Sequence, residues 1–317
     1  MKIVLLEPLA ISKEILNSLA SKLKDMGHEF IAYDTVEKDT EALKKRAENA
    51  DILMIANNPL NGDVIRSVEN LKYIAVAFTG VDHVDKEACK ERGIKVSNAQ
   101  GYATEAVAEL TIGMILSLLR NVIKCDEVTR KEGTKVGLVG SELNGKTVGI
   151  VGTGAIGLRT AEILKAFNCK LLGYNRSQSE RAKELGIEYV TLEELLSKSD
   201  IVSLHVPLND ATKGLINKER ISLMKKSAIL INVARGPVVD SEALAEALNN
   251  GDIAGAGIDV FEIEPPIKSN HPLFSSRNTL VTPHVAFASE ESMIKRANIE
   301  FDNVYSWING EEKNIVM

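Results

Sequence analysis

The chain reads as an α/β protein built on two doubly wound parallel sheets. Three observations predict this. Short β-rich runs alternate with amphipathic runs up to about residue 98, a second alternation begins at Thr147, and a glycine-rich turn joins the first strand of that second series to its helix. Such alternation marks parallel strands joined by crossover helices, with both sheet faces covered. At 317 residues the chain exceeds the usual size of one domain, so two sheets fit two domains.

The elements follow in order. "KIVLL" is the first strand, because the apolar run of "MKIVLLEPLAIS" is too short for a signal peptide. A helical pattern over 12–26 comes next. "EFIAYD" then precedes "TEALKKRAEN", "DILMIA" precedes "NGDVIRSVEN", and "LKYIAVAF" precedes "VDKEACKERG". "IKVSN" closes a series of five strands. "TEAVAELTIGMILSLLRN" is the most apolar long helix. Thr104 stands where it can cap that helix, and apolar residues almost all round predict burial at a domain or subunit junction. Residues 121–145 have weak periodicity and fit either an arm that packs on a partner or a long surface connection. From Thr147, "TVGIV", "KLLGY", "DIVSLH", "AILIN", "IAGAGIDV" and "TLVTPH" alternate with helices. Six strands in that order fit two mononucleotide-binding halves. Residues 289–310 read as a last helix.

Composition bounds the function. Apolar residues make up 44% and charged residues 26%, as in an ordinary soluble globular protein. A net charge of −6, from 38 basic and 44 acidic side chains, argues against a general nucleic-acid binder and leaves room for a small anionic substrate. No stretch approaches the roughly 18 apolar residues of a membrane span. Cys89, Cys125 and Cys169 are odd in number and far apart, which gives neither a disulfide framework nor a metal pair. The expected setting is cytoplasmic, with no membrane, nucleic acid or metal.

"VGIVGTGAIGLRTAEIL" carries the first functional signal. Gly152 permits a tight turn, Gly154 lets a pyrophosphate approach the backbone, and Gly157 lets helix and strand pack closely. The N–H groups at Ala155 and Ile156 then open a helix whose positive end faces phosphates. A lone glycine turn of this kind is often only structural; three glycines in a strand–helix context favour a dinucleotide. Eleven residues later "YNRS" puts Asn175 where an acidic residue would grip the ribose of NAD. Asn175 removes the repulsion of a 2′-phosphate, and Arg176 with Ser177 supplies donors to it. The reading favours NADP(H), with NAD(H) as the alternative.

Ligands of open α/β sheets lie beyond the carboxyl ends of the strands, and several strands here end in reactive side chains. They are His205, Arg235, Asp259 and His284, with Glu264 on the loop "EIEPP". Singly, each is unremarkable. Together beside a dinucleotide cradle they match what reduction of a 2-oxo acid requires. Arginine grips a carboxylate in a planar fork, histidine protonates a carbonyl oxygen, and a carboxylate orients the imidazole. Arg235, His284 and Glu264 suit those tasks in kind.

At these residues the sequence resembles the D-isomer-specific 2-hydroxyacid dehydrogenase family. The likeness spans almost the whole chain, through "FTGVDHVD", "GYATEAVAELT", "LNGKTVGIVGTGAIG", "LHVPLNDATKGLI", "INVARGPVVD", "GIDVFEIEP" and "TPHVAFAS". It implies a flavodoxin-like substrate domain, 1–98 plus 289–317, and a Rossmann cofactor domain, 99–288. It implies a dimer formed through the long helix and the arm after it. It also implies that Arg235 binds the substrate carboxylate and carbonyl, and that Glu264 pairs with His284, the general acid/base. Phe78, Thr79 and Gly80 would form the substrate loop, with backbone N–H groups on the carboxylate. Val107, His205, Val206, Pro207, Thr212, Val233, Ala234, Arg235, Asp259 and His284 would line the cofactor, Asp259 at the nicotinamide amide. Phe78 and Tyr102 suit a pocket wall or the core equally. The family implies hydroxypyruvate, glyoxylate or 3-phosphohydroxypyruvate as substrate, and no regulatory domain is expected after His284. Two rival readings use the same scaffold: a nucleotide-sensing, corepressor-like binding module, and a dehydrogenase of formate or phosphite.

Overall fold

The computed structural model describes residues 1–264 and 266–317. The chain forms two compact units, Met1–Ala103 with Ala288–Met317, and Thr104–Phe287. The sequence reading set the first boundary at 98/99; the structure keeps the turn at 99–103 with the first unit.

In the first unit, β1 (Lys2–Leu5), β2 (Glu29–Ala32), β3 (Ile52–Ile55), β4 (Tyr73–Val76) and β5 (Lys95–Ser97) pair in parallel in the order β2-β1-β3-β4-β5. β3 and β4 are continuous apolar runs buried throughout, as strands covered on both faces must be. The helices α1 (Lys13–Asp25), α2 (Thr40–Ala47), α3 (Gly62–Ser67) and α4 (Lys86–Arg92) begin where a capping side chain stands. Ser12, Asp39, Asn61 and Asp85 each accept a backbone N–H three residues on.

The order of these strands reverses between β1 and β3, the place where such sheets offer backbone donors to a ligand. Here the chain fills it with its own Glu7. Oε1 of Glu7 accepts Ala56 N at 2.8 Å and Asn58 N at 3.1 Å, and Oε2 meets Asn58 Nδ2.

The C-terminal helix, Glu290–Ile308, belongs to this unit. Ser289 and Ser292 cap it reciprocally. Trp307 stacks on Tyr73 with ring centroids 4.6 Å apart, Phe301 meets Phe30 at 5.6 Å, and Arg296 donates to Leu9 O at 2.9 Å.

The second unit holds α5 (Thr104–Leu119), α6 (Val122–Arg130), β6 (Thr147–Val151), α7 (Ala155–Ala166), β7 (Lys170–Tyr174), α8 (Glu180–Glu184) and β8 (Glu188–Tyr189). It continues with α9 (Leu192–Lys198), β9 (Ile201–Leu204), α10 (Lys218–Ile221), β10 (Ile229–Asn232), α11 (Ser241–Asn250), β11 (Gly255–Ile258) and β12 (Thr279–Val281). Among the described residues its parallel sheet has seven strands in the order β12-β11-β10-β9-β6-β7-β8. The sequence reading has six. β8 is two residues long and leaves no alternation to read.

Helix α5 begins at Thr104 itself, so that residue is not its cap, and the helix buries Val107, Ala108, Thr111, Ile112, Met114, Ile115 and Leu118. The stretch read as arm or connection contains α6, which has no buried residue, followed by irregular chain. Among the described residues no single helix is long and apolar enough to cross a membrane; α5 and α6 pass that test only as a pair bent by 58°.

Glu300 lies on the C-terminal helix with 0% exposure, near Arg296 and Glu7. Burial holds its carboxyl well above the ordinary carboxylate range, although Arg296 pulls the other way. A carboxyl raised in the folded state stabilises the protein while protonated and loses that contribution as pH rises from its unfolded value towards its folded one. Glu300→Gln removes this ionisation. The stability of the variant relative to the natural chain, followed by melting curves, is expected to rise with pH above the ordinary carboxylate range, by up to about 1.4 kcal/mol per pH unit. A difference independent of pH between 5 and 9 contradicts this account.

Candidate active site

After β6 the backbone turns at Gly152, whose φ of +99° suits glycine, and a Cβ there would lie 2.6 Å from His205 O. A Cβ on Gly157 would lie 2.0 Å from Gly152 O. Gly154 differs. Its φ of −78° is ordinary, and a Cβ on it would meet nothing within 4 Å. No contact among the described residues calls for glycine there, whereas a pyrophosphate needs that open space. Gly154 caps α7 without a side-chain bond, so the N–H groups of Ala155, Ile156 and Gly157 are left to an anion. The turn fits a dinucleotide.

A network unread in the sequence ties this turn to the loop after β7. Thr153 Oγ1 lies 2.6 Å from the Tyr189 hydroxyl, which accepts Ser179 N at 3.1 Å. Within that loop Asn175 Nδ2 donates to Ser177 O at 2.9 Å, and Arg176 and Ser177 are exposed. Among the described residues Arg176 makes no ion pair.

Beyond β9, His205 Nε2 lies 2.9 Å from Ser203 Oγ, while Nδ1 is buried without a partner among the described residues. Burial pushes this imidazole down to about 4, so it is neutral near pH 7 and unsuited to donate a proton. Thr212 closes the following loop, donating to Pro207 O at 2.6 Å and accepting Asn209 N at 2.9 Å. Val206, Val233 and Ala234 are buried at 8% exposure each, and Val107 on α5 at 6%.

Three neighbouring strands, β10, β11 and β12, carry the reactive groups at their carboxyl ends. Asn232, at the end of β10, accepts Ala234 N at 3.1 Å and donates to Arg235 O at 3.0 Å, which locks the backbone under Arg235. The guanidinium itself donates to Ala234 O at 2.8 Å. Gly236 then passes so close to the next loop that a Cβ would lie 2.0 Å from the Phe261 carbonyl carbon. That loop bears Glu264, whose Oε2 accepts Phe261 N at 3.2 Å. Its Oε1 lies 2.5 Å from His284 Nδ1. A carboxylate on Nδ1 orients the imidazole.

His284 has φ +52°, an uncommon conformation for a residue other than glycine. Asp259 holds it there. The Asp259 carbonyl accepts His284 N at 2.7 Å. Its carboxylate accepts Thr282 Oγ1 at 2.5 Å, Val285 N at 2.8 Å and Ala286 N at 2.9 Å. Phe287 adds an edge-on contact to the imidazole, with ring centroids 5.5 Å apart.

The carboxylate of Asp259 is 0% exposed, and its three hydrogen bonds fix the turn that carries His284. Burial raises the Asp259 carboxyl, against the pull of its donors and of His284. At 7% exposure Phe78 packs on Tyr102, itself 3% exposed, with centroids 5.7 Å apart. Thr79 is exposed and Gly80 half-buried, both in the first unit.

The model of the D-isomer specific 2-hydroxyacid dehydrogenase NAD binding domain matches residues 112–286. The chain belongs to this family. It is 41% identical to a glyoxylate reductase of Thermofilum pendens, over 86% of this chain and 82% of that one. It is 39% identical to a hydroxypyruvate reductase of Thermotoga maritima, over 85% and 88%. The solved structure of an acyclic imino acid reductase with NADPH and D-Arg matches with a TM-score of 0.89 at 30% identity, covering 100% of both chains. As a D-2-hydroxyacid dehydrogenase the chain is a nicotinamide-dependent oxidoreductase that acts on a CH–OH group.

Asp259→Asn leaves an amino group where an acceptor stood. A melting curve is expected to show a loss of about 1–3 kcal/mol for the donor left unpaired, and turnover should fall because His284 is no longer held. Unchanged stability and turnover would remove Asp259 from this account.

Proposed function

We propose that this enzyme reduces small unphosphorylated 2-oxo acids, glyoxylate and hydroxypyruvate foremost, to D-2-hydroxy acids with NADPH. The observation that carries the proposal is the Glu264–His284 pair, 2.5 Å apart, on the same sheet edge as Arg235 and the glycine turn. The activities named for the Thermofilum and Thermotoga relatives support the substrate class.

Arg235 holds the substrate carboxylate and polarises the carbonyl, with the backbone N–H groups of Thr79 and Gly80 as further carboxylate donors. A nicotinamide cofactor held by the turn at Gly152, Gly154 and Gly157 would supply hydride chemistry to the carbonyl carbon. His284 gives the Nε2 proton to the carbonyl oxygen, which completes the hydroxyl group, and Glu264 stabilises the cationic imidazole before transfer. In the oxidative direction His284 takes the proton back.

The preference for NADPH rests on the second strand's loop. Asn175 carries no charge to repel a 2′-phosphate, and Arg176 is exposed without an ion pair among the described residues. NADPH in the related imino acid reductase supports the same reading. A homodimer through the segment after α5 accords with the exposure of Val136 at 86% and Val139 at 90%.

Glyoxylate, hydroxypyruvate and 3-phosphohydroxypyruvate, each assayed with NADPH and with NADH, test the proposal. The first two should oxidise NADPH with a kcat/KM about tenfold above that with NADH, a margin of about 1.4 kcal/mol for the phosphate contact. Arg176→Ala should erase that margin, and His284→Ala should cut turnover by about a hundredfold or more while leaving the KM for cofactor nearly unchanged. Activity with NADH alone would overturn the phosphate grip, and no activity with any of the acids would overturn the substrate class.

A further inference from the structure

Two buried asparagines of the first unit have no part in the chemistry above, yet both lead to the loop at Thr79 and Gly80. Asn303, on the C-terminal helix, is 0% exposed, and Asn98, just after β5, is 6% exposed. Asn98 Nδ2 donates to Thr79 O at 2.8 Å. Asn303 Nδ2 donates to Asn98 O at 2.8 Å, and the next amide, Ala99 N, donates to Phe78 O at 2.9 Å. The amide of Asn303 is oriented in turn by Asn314 Nδ2, which donates to its Oδ1 at 2.8 Å.

A trans peptide is planar, with its C=O and N–H pointing opposite ways. A donor that pins the carbonyl of residue 79 therefore sets the direction of the N–H of residue 80. A donor that pins the carbonyl of residue 78 sets the N–H of residue 79. Asn98 does the first with its side chain. Asn303 does the second through one intervening peptide, because holding Asn98 O aims Ala99 N at Phe78 O. Each pinned carbonyl also polarises its own N–H, which makes it a stronger donor. Neither Thr79 N nor Gly80 N makes a hydrogen bond among the described residues. Asn98 keeps its place although its Oδ1 is buried without a partner, so half of that amide contributes nothing to the fold.

We infer that Asn98 and Asn303 are positioning residues, which aim and polarise the N–H groups of Gly80 and Thr79 at the carboxylate of the 2-oxo acid. This rests on the proposed role of that loop.

Leucine matches asparagine in shape and carries no charge to disturb an anion. In Asn98→Leu the unpaired Oδ1 is removed along with the donor, so the variant is expected to fold. Steady-state kinetics at saturating NADPH should show the KM for glyoxylate raised about tenfold, by loss of roughly one hydrogen bond to a charged group. The KM for NADPH should stay within about twofold. Asn303→Leu should raise the KM for glyoxylate by a smaller factor, and the inhibition constant of oxamate, an unreactive mimic of the acid, should rise in parallel in both variants. A purely structural role would lower the melting temperature and leave these constants alone. If either folded variant binds glyoxylate and oxamate as the natural enzyme does, its positioning role is overturned. A natural enzyme that reduces no 2-oxo acid overturns the underlying reading itself, which keeps the two failures apart.

Discussion

The arrangement at the reactive edge depends on the buried carboxyl group of Asp259. Four hydrogen bonds converge on that residue from the turn at 282–286, one on its main-chain carbonyl and three on its side chain. They hold His284 in a left-handed backbone conformation that few side chains adopt unaided. The imidazole is thereby delivered to Glu264, which comes from the loop beyond the neighbouring strand. Removing a carboxylate from water is unfavourable, and its three side-chain donors offset part of that penalty. The turn and the acid support each other.

The same device recurs: polar side chains beyond the strands hold backbone. Asn232 locks the chain beneath Arg235, Thr212 closes the loop after Pro207, and Tyr189 ties the glycine turn to the loop after β7. Glu7 does this in the first unit by filling the point where its strand order reverses. Reactive groups that must be held to a fraction of an ångström are carried on loops, and loops acquire rigidity only from such internal bonds.

Much of this was legible in the sequence, for physical reasons. Strands covered on both faces are continuous apolar runs, so "ILMI" and "YIAV" announce themselves, as do the glycines that a tight turn and a close helix approach demand. Arg235, Glu264 and His284 stood out because charged or titratable groups rarely end an apolar strand without a task. Other features were not legible. β8 is too short to show a period. That Asp259 serves the His284 turn, and that Phe78 and Tyr102 lie in the core, follow from tertiary contacts between distant segments. His205 and His284 look alike as letters; the structure buries the first, which pushes its imidazole down to about 4, and sets the second against the Glu264 carboxylate. Asn98 and Asn303 lie far apart in the chain, and nothing local in either segment signals their connection.

In the proposed mechanism Glu264 acts on catalysis only through His284, which it meets at 2.5 Å. A double-mutant cycle on glyoxylate reduction, with Glu264→Gln, His284→Ala and the two combined, measures this directly. Glu264→Gln alone is expected to lower kcat by about tenfold or more, while in the His284→Ala background it should have almost no further effect. Losses that multiply, with Glu264→Gln as damaging without the imidazole as with it, would contradict the coupling and give the carboxylate a separate task.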